Sequence, residues 1–245
     1  MQYNHKPYGP YEKHVKRPLD CILAICAMVV LSPVLAITAL LVRIKLGSPV
    51  LFTQMRPGLI DSKTGKERIF KLYKFRTMTD EKDATGNLLP DEIRLTKFGK
   101  ILRATSLDEL PELANIAIGD MALVGPRPQL VRDMVFMSEE QRARHIVKPG
   151  LTGLAQVHGR NAITWEEKLD WDLKYIKKVS FFGDMKILFQ TVAAVFKRRG
   201  ITDGENATAL DYGDALLASG IISKEEYNLL QVSALNILAE HERSR

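Results

Sequence analysis

"LDCILAICAMVVLSPVLAITALLV", residues 19 to 42, decides the fold. As one straight helix it is long enough to span a bilayer. Ser32 and Pro33 interrupt it near the middle, and a proline inside a helix removes a hydrogen bond and presses on the carbonyl four residues back. Each half, about a dozen residues, reaches only roughly 20 Å at helical rise, short of the roughly 30 Å hydrocarbon core. Lys16 and Arg17 precede the run, and Arg43 and Lys45 follow its end. Basic residues on both sides are what the positive-inside tendency expects when both ends stay cytoplasmic. The run therefore reads as a helix-break-helix that dips into one leaflet and returns, ahead of a proline-kinked single span. It is too long for a cleaved signal peptide, and no small-residue cleavage site precedes the basic flank. Asp20, at the rim, is either a first-turn helix acid or a partner of Arg17 or Lys16 near lipid phosphate.

Around this segment, 245 residues can bury one good core with an appendage. Lys and Arg exceed Asp and Glu by 35 to 29, a net charge of +6. That excess invites an anionic partner without separating nucleic acid, phospholipid and nucleotide. Both cysteines, Cys21 and Cys26, lie in the apolar run, which argues against a disulfide scaffold or a zinc site and fits a reducing compartment. No solenoid repeat is present.

Downstream, "VLFTQ" (50 to 54) and "RIFKLYKFRTM" (68 to 78) read as the strands of a hairpin joined by "DSKTGK". "MALVGPRP" reads as a short strand ending in a proline-bracketed turn, and "DEKDATGNLLPDE" as an exposed loop. Trp165, Leu169, Leu173 and Ile176 fall at helical spacing, and "DMKILFQTVAAVFKRR" forms a second amphipathic helix ending in Lys197, Arg198 and Arg199. Core packing and lodging at a membrane interface both explain such stripes. From about residue 208 the tail reads as two helices, with Gly220 ending the first and a Ser223/Glu226 capping box starting the second. It carries no obvious chemistry and reads as a docking or self-association element.

Chemistry concentrates in "TSLDELP", residues 105 to 111. Ser106 and Glu109 have capping-box spacing, but a helix capped at Ser106 would put Pro111 at its fifth position. A start nearer Asp108 removes that conflict and sets Asp108 beside free backbone N–H groups, which favour its charged form. A carboxylate so held can cap, bind metal or attack phosphorus. Cations surround this motif in the sequence. With strict alternation Lys74 and Arg76 share one strand face, either solvated or turned to phosphate. Arg103 stands five residues before Asp108, and Arg127 is presented by a turn that Pro126 and Pro128 stiffen. Gly150, Gly153 and Gly159 permit close backbone approach in "KPGLTGLAQVHGRNAITW", which is neither a Walker loop nor a dinucleotide fingerprint. His158, without a visible partner, reads as structural.

In order along the chain, "KRPLD", the Ser-Pro broken helix, "FTQMRPG", "KLYKFRTM", "RLTKFGKILRATSLDELPEL", "GDMALVGPRP" and "KPGLTGLAQVHGR" resemble the monotopic polyprenyl-phosphate phosphoglycosyl transferases, or bacterial sugar transferases. The resemblance runs from about Lys16 to Arg199, and is strongest to small members consisting of the catalytic domain alone, such as the transferases for diacetylbacillosamine phosphate. His158 stands where many members have Asn. The resemblance implies an α/β fold: an N-terminal tail (1–14), a reentrant membrane helix (15–46), a catalytic domain with a small β-hairpin and sheet core and interfacial amphipathic helices (47–202), and a helical extension (203–245). It implies a monotopic protein of the bacterial inner membrane, with the catalytic domain on the cytoplasmic face. The implied reaction moves a sugar phosphate from a UDP-sugar, favoured to be an N-acetylated amino sugar, to polyprenyl phosphate. UMP is released, Mg²⁺ is required and nucleic acid plays no part. By match to the family's acid dyad, Asp108 is the nucleophile and Glu109 the magnesium ligand. Arg127 with Pro126 and Pro128 would hold the nucleotide end, Lys74, Arg76 and Arg103 are phosphate candidates, and Lys16 and Arg17 would meet the lipid phosphate. The tail lies outside the resemblance and is expected to dock or to pair two copies. Two rivals remain, a non-catalytic membrane scaffold and a glycosyltransferase that releases UDP, the second weakened by the lack of an obvious "DxD" motif.

Overall fold

The break in the N-terminal helix falls where proline requires it. In the computed structural model, which describes residues 6–159, 163–196 and 210–243, a π-helical turn, Tyr11–Val15, runs into α1 (Lys16–Val30) and, after Leu31, into α2 (Ser32–Leu46). Pro33 has no N–H for the Val29 carbonyl, and the Ser32 hydroxyl donates to that oxygen instead at 2.8 Å. The two arms bend by 65°; no single described helix is long and apolar enough to cross a membrane, whereas the bent pair together is, by length and composition.

A tight cis Ser48-Pro49 turn leads to β1 (Leu51–Ile60), which pairs antiparallel with β2 (Glu67–Phe75). Leu51 lies opposite Phe75 and Arg56 opposite Phe70, and the register shifts between Pro57 and Ile60. The expected hairpin is present, with its first strand longer than "VLFTQ". Its turn is tied by Asp61, which accepts from the backbone N–H of Lys63 and Thr64. The expected loop from Asp80 to Glu92 is largely exposed, though it ends in the short helix α3 (Asp91–Arg94). Then come α4 (Lys97–Ala104), a 3₁₀ turn over Leu107–Glu109, and α5 (Glu112–Ile118).

A second sheet pairs β3 (Ala122–Val124) in parallel with a later strand, and between them lie α6 (Val131–Met134) and α7 (Glu139–Arg142). Its partner is β4 (Gly150–Thr152), followed by α8 (Leu154–His158), α9 (Trp165–Ile176) and α10 (Phe181–Phe196). The tail supplies α11 (Tyr212–Ala218) and α12 (Lys224–Arg243), separated by Gly220 at φ +69°. The architecture is thus mixed helix and sheet around a small two-sheet core.

Packing decides between the two readings of the stripes. Ala24 of α1 sits against Phe70, Leu113, Ile116 and Met121, so one flank of the bent pair is core. The opposite flank leaves Ile22, Val29, Val30, Ile37 and Leu40 exposed. The α9 stripe is core packing, with Leu169 and Ile176 buried. Helix α10 is divided: Ile187 is buried, while Phe182 and Phe189 are 84% and 73% exposed. Lys197, Arg198 and Arg199 lie outside the described residues. The tail docks on its own chain, Tyr212 and Leu216 against Met137 and Leu169, and Ala234 of α12 against Val131 and Met134. The Ser223 hydroxyl accepts from Glu226 N–H at 3.1 Å, the expected start of α12.

Candidate active site

Helix α5 is clamped to β2 by one fully buried side chain. Asn115 accepts from Tyr73 N–H at 3.1 Å and donates to the Lys71 carbonyl at 2.8 Å, filling the backbone groups of a strand that has no third partner there. This latch sets Lys74 above the acids at the start of α5. The Lys74 ammonium lies 2.8 Å from Glu109 Oε1 and 3.1 Å from Glu112 Oε1, the second contact lacking hydrogen-bond geometry.

The helix begins later than either expected start. Ser106 is left-handed at φ +56°, the one non-glycine residue at positive φ among those described, and its side chain caps nothing. Leu107–Glu109 form a 3₁₀ turn and Pro111 is the N-cap of α5, a place where its missing N–H costs no hydrogen bond. The left-handed residue reverses the chain after α4, turning Asp108 inward until it is 8% exposed.

The two acids then part in character. Glu109 Oε1 accepts from both Lys74 and Arg127, the latter at 2.7 Å. Burial opposes its ionisation, yet Arg127 and Lys74 hold its carboxyl well below the usual carboxylate range. Asp108 accepts no hydrogen bond and forms no ion pair among the described residues. Burial first, and the Glu109 charge second, push it up to about 6 against the pull of Lys74, Arg103 and Arg127. The expectation that helix N–H groups would favour the charged Asp108 is overturned, since none donates to it. It still titrates below neutral pH, as a carboxylate solvated by distant cations rather than by direct hydrogen bonds.

The Arg127 turn is held from three sides. Gly150 N–H donates to the Pro126 carbonyl at 2.9 Å, Arg144 to the Arg127 carbonyl at 2.6 Å and Arg56 to the Pro128 carbonyl at 3.1 Å. Arg144, 1% exposed, is paired in turn with buried Asp172 of α9 through Nε and Nη2 at 2.9 and 2.6 Å. The glycines make this approach feasible: a Cβ on Gly150 would lie 2.1 Å from Gly125 N, and one on Gly153 2.2 Å from Gly125 O. Arg103 is aimed from α4 by a bond from its Nε to Thr77 Oγ1 at 3.1 Å.

Lys74, Arg103 and Arg127 thus converge on Asp108 and Glu109, and the other candidates do not. Arg76 donates to the Leu46 and Ser48 carbonyls and to Asp80, so it secures the end of α2. Arg17 caps α5 through the Ile116 and Ala117 carbonyls at 2.6 and 3.1 Å, beneath Gly119 at φ +105°. Lys16 reaches Asp184 at 2.6 Å and Asp20 at 3.5 Å, which answers for Asp20 the choice the sequence left open. Ser32 and Pro33 form the bend. His158 stacks on Trp171 at 3.8 Å between centroids and bonds the Leu154 carbonyl, as a structural residue does.

Sequence reasoning missed Glu112, Arg56, Asn115, Arg144 and Asp172. Arg56 stood inside the quoted "FTQMRPG", and Glu112 lies one helical turn past Asp108. Burial pushes the Glu112 carboxyl up to about 7, with Lys74 opposing and Glu109 adding to the rise.

A family model described as bacterial sugar transferase matches residues 11–198, the whole of this arrangement. The chain belongs to the bacterial sugar transferase family. This transferase is 51% identical over 195 residues to an uncharacterized sugar transferase, EpsL, of Bacillus subtilis (strain 168), the match covering 80% of the chain and 94% of EpsL. It is 38% identical over 194 residues to the UDP-glucose:undecaprenyl-phosphate glucose-1-phosphate transferase of Escherichia coli (strain K12), covering 76% of the chain and 41% of that protein. Against the UDP-N-acetylgalactosamine-undecaprenyl-phosphate N-acetylgalactosaminephosphotransferase of Aeromonas hydrophila it is 34% identical over 198 residues, covering 76% of the chain and 45% of that relative. The transferase therefore spans less than half the length of these two relatives and nearly all of EpsL.

Proposed function

We propose that this enzyme transfers a sugar 1-phosphate from a UDP-sugar, an N-acetylated amino sugar by preference, to polyprenyl phosphate of the undecaprenyl type, through an aspartyl-phosphosugar on Asp108. The observation that carries the proposal is the contrast within the dyad. Glu109 is clamped by Lys74 and Arg127, while Asp108 is buried, without a hydrogen-bond or ion-pair partner among the described residues, and within the field of three cations. A carboxylate with no partner to detach from and a pKa of about 6 is ionised and nucleophilic at neutral pH.

In the first step an Asp108 oxygen attacks the β-phosphorus, a bond to that phosphorus forms, and the bond to the bridging oxygen breaks with its electrons leaving on UMP. In the second, an oxygen of polyprenyl phosphate attacks the same phosphorus, the aspartyl oxygen leaves, and Asp108 returns as a carboxylate. Arg127 and Arg103 steady the phosphoryl oxygens as charge spreads over them. Arg127 must exchange part of its contact with Glu109 for substrate, which its half-exposed position permits.

The residues present fit Mg²⁺. Glu109 Oε2 accepts nothing from the described residues, and Mg²⁺ commonly takes one or two carboxylates with substrate phosphates and water. No cluster of three or more His, Cys, Asp or Glu that could hold a metal occurs among the described residues, so an ion here would take most of its ligands from phosphate and water. When bound it neutralises phosphate charge. The exposed apolar flanks of α1, α2 and α10 support seating in one leaflet of the bacterial inner membrane, on its cytoplasmic face, with the bent pair as a reentrant anchor.

The test is the identity of the released nucleotide. Full-length protein in lipid with Mg²⁺ and a panel of UDP-sugars should release UMP over many turnovers only when polyprenyl phosphate is present, and no more than a single stoichiometric burst without it. UDP release would replace the reading with conventional glycosyl transfer. Liposome binding with neither nucleotide released would leave a scaffold.

A further inference from the structure

Helix α12 has two faces, and only one packs against the described residues. Its inner face packs Ala234 on Val131 and Met134, and Tyr227 bonds Asp214 and Arg132. On the outer face Leu229, Val232 and Leu235 are 71%, 54% and 65% exposed. Their spacing of three places them on one stripe. We propose that this stripe binds the same stripe of a second copy of the chain, as an antiparallel helix pair centred on Val232.

The sequence of α12 is self-complementary about that residue. A two-fold axis at Val232 sets Leu229 against Leu235 of the other copy, Asn228 against Asn236, and Lys224 against Glu240. Such an interface is isologous, each contact occurring twice. The opposed residues gain an apolar centre, an amide pair on each side and an ion pair at each end. Glu225 meets Ala239, so no like charges face each other at that turn. Antiparallel alignment also sets each helix's positive end beside the other's negative end. A lipid surface fits less well: three apolar residues flanked by Glu225, Glu226, Glu240 and Glu242 would be repelled by anionic headgroups, where interfacial helices carry Lys and Arg. The inference stands apart from the chemistry assigned to Asp108. Three apolar residues a side make a weak contact in dilute solution, and confinement to a membrane raises the local concentration of copies.

The experiment is disulfide cross-linking of the full chain in liposomes, in a Cys21→Ser, Cys26→Ser background that removes the two free thiols. Val232→Cys, on the axis, should give a covalent dimer under mild oxidation. Asn228→Cys and Asn236→Cys should cross-link poorly alone and several-fold better when the two proteins are mixed, because each then meets the other. Lys224→Glu should lower the Val232→Cys yield at least about twofold, the range of two exposed ion pairs, and Glu240→Lys in the same chain should restore it. Cross-linking at Val232 no greater than at exposed Ser233, one step round the helix, would overturn the proposal. So would protection of Val232→Cys from a water-soluble maleimide by liposomes at protein densities too low for copies to meet.

Discussion

Replacing Asp108 should make this protein more stable. The Asp108 carboxyl is raised from 3.8 to about 6 by burial and by the Glu109 charge, so the folded state holds its proton more tightly than the unfolded chain does. The sign follows from linkage. Below about pH 4 both states are protonated and the side chain carries no electrostatic deficit. As pH rises from about 4 to 6 the unfolded state ionises first and stability is lost, and above about 6 the loss is complete. Its size is about 3 kcal/mol at 1.36 kcal/mol per pH unit. Asn keeps the shape and never ionises. Asp108→Asn should therefore raise the unfolding midpoint by about 6 to 12 °C at pH 8, at roughly 2 to 4 °C per kcal/mol for a domain of this size, while turnover is lost. At pH 5 the gap should be about half as large in free energy. Glu112 and Asp133, also pushed up by burial, titrate in both proteins and cancel in the difference. Thermal unfolding followed by tryptophan fluorescence, wild type beside variant at pH 8 and pH 5, reads the effect. An equal or lower midpoint for Asp108→Asn at pH 8, or a gap that does not change with pH, would refute the reasoning.

Asp172→Asn leaves the buried Arg144 guanidinium uncompensated, a loss of about 3 to 5 kcal/mol, and should lower the unfolding midpoint on the order of 10 °C; a drop under about 2 °C would deny the pair its role behind the Arg127 turn. Gly150→Ala puts a Cβ 2.1 Å from Gly125 N and 2.5 Å from Thr152 O, and the resulting displacement of Arg127 by about 1 Å should cost on the order of a hundredfold in kcat/KM, measured as nucleotide release. Glu109→Gln should shift the magnesium dependence of activity to higher concentration by tenfold or more; an unchanged titration would assign the metal to other oxygens.

Much of the fold could be read locally. The hairpin announced itself through strand-forming residues on either side of a turn holding Asp61 and Gly65, and the bend through Ser32-Pro33. The close approach of Gly150 and Gly153 was legible because glycine there has no competing reason. The sequence offers Lys74 and Arg103 as phosphate candidates and the resemblance adds Arg127, and the fold places all three around Asp108 and Glu109. What stayed hidden depends on partners far along the chain. Arg76 and Arg17 looked like phosphate ligands because a strand or helix position does not reveal which carbonyls end nearby; both instead cap helix C-termini. Arg144 and Asp172 sit among other surface-like charges in sequence and meet only when α9 folds back. Ser106 in the left-handed region has no signature at all, since its neighbours read equally well as a capping box. The raised pKa of Asp108 could not be foreseen for the same reason, because burial belongs to the tertiary structure.

The most direct test of the account is a mass. Full-length protein incubated with a UDP-sugar it accepts and Mg²⁺, without polyprenyl phosphate, is quenched in acid and weighed intact, with peptide mapping to place any adduct. The account expects a gain of one sugar phosphate on Asp108, matched by a stoichiometric burst of UMP, discharged by added polyprenyl phosphate and absent from Asp108→Asn. Sustained UMP formation on lipid addition with no adduct, or turnover by Asp108→Asn, would contradict it.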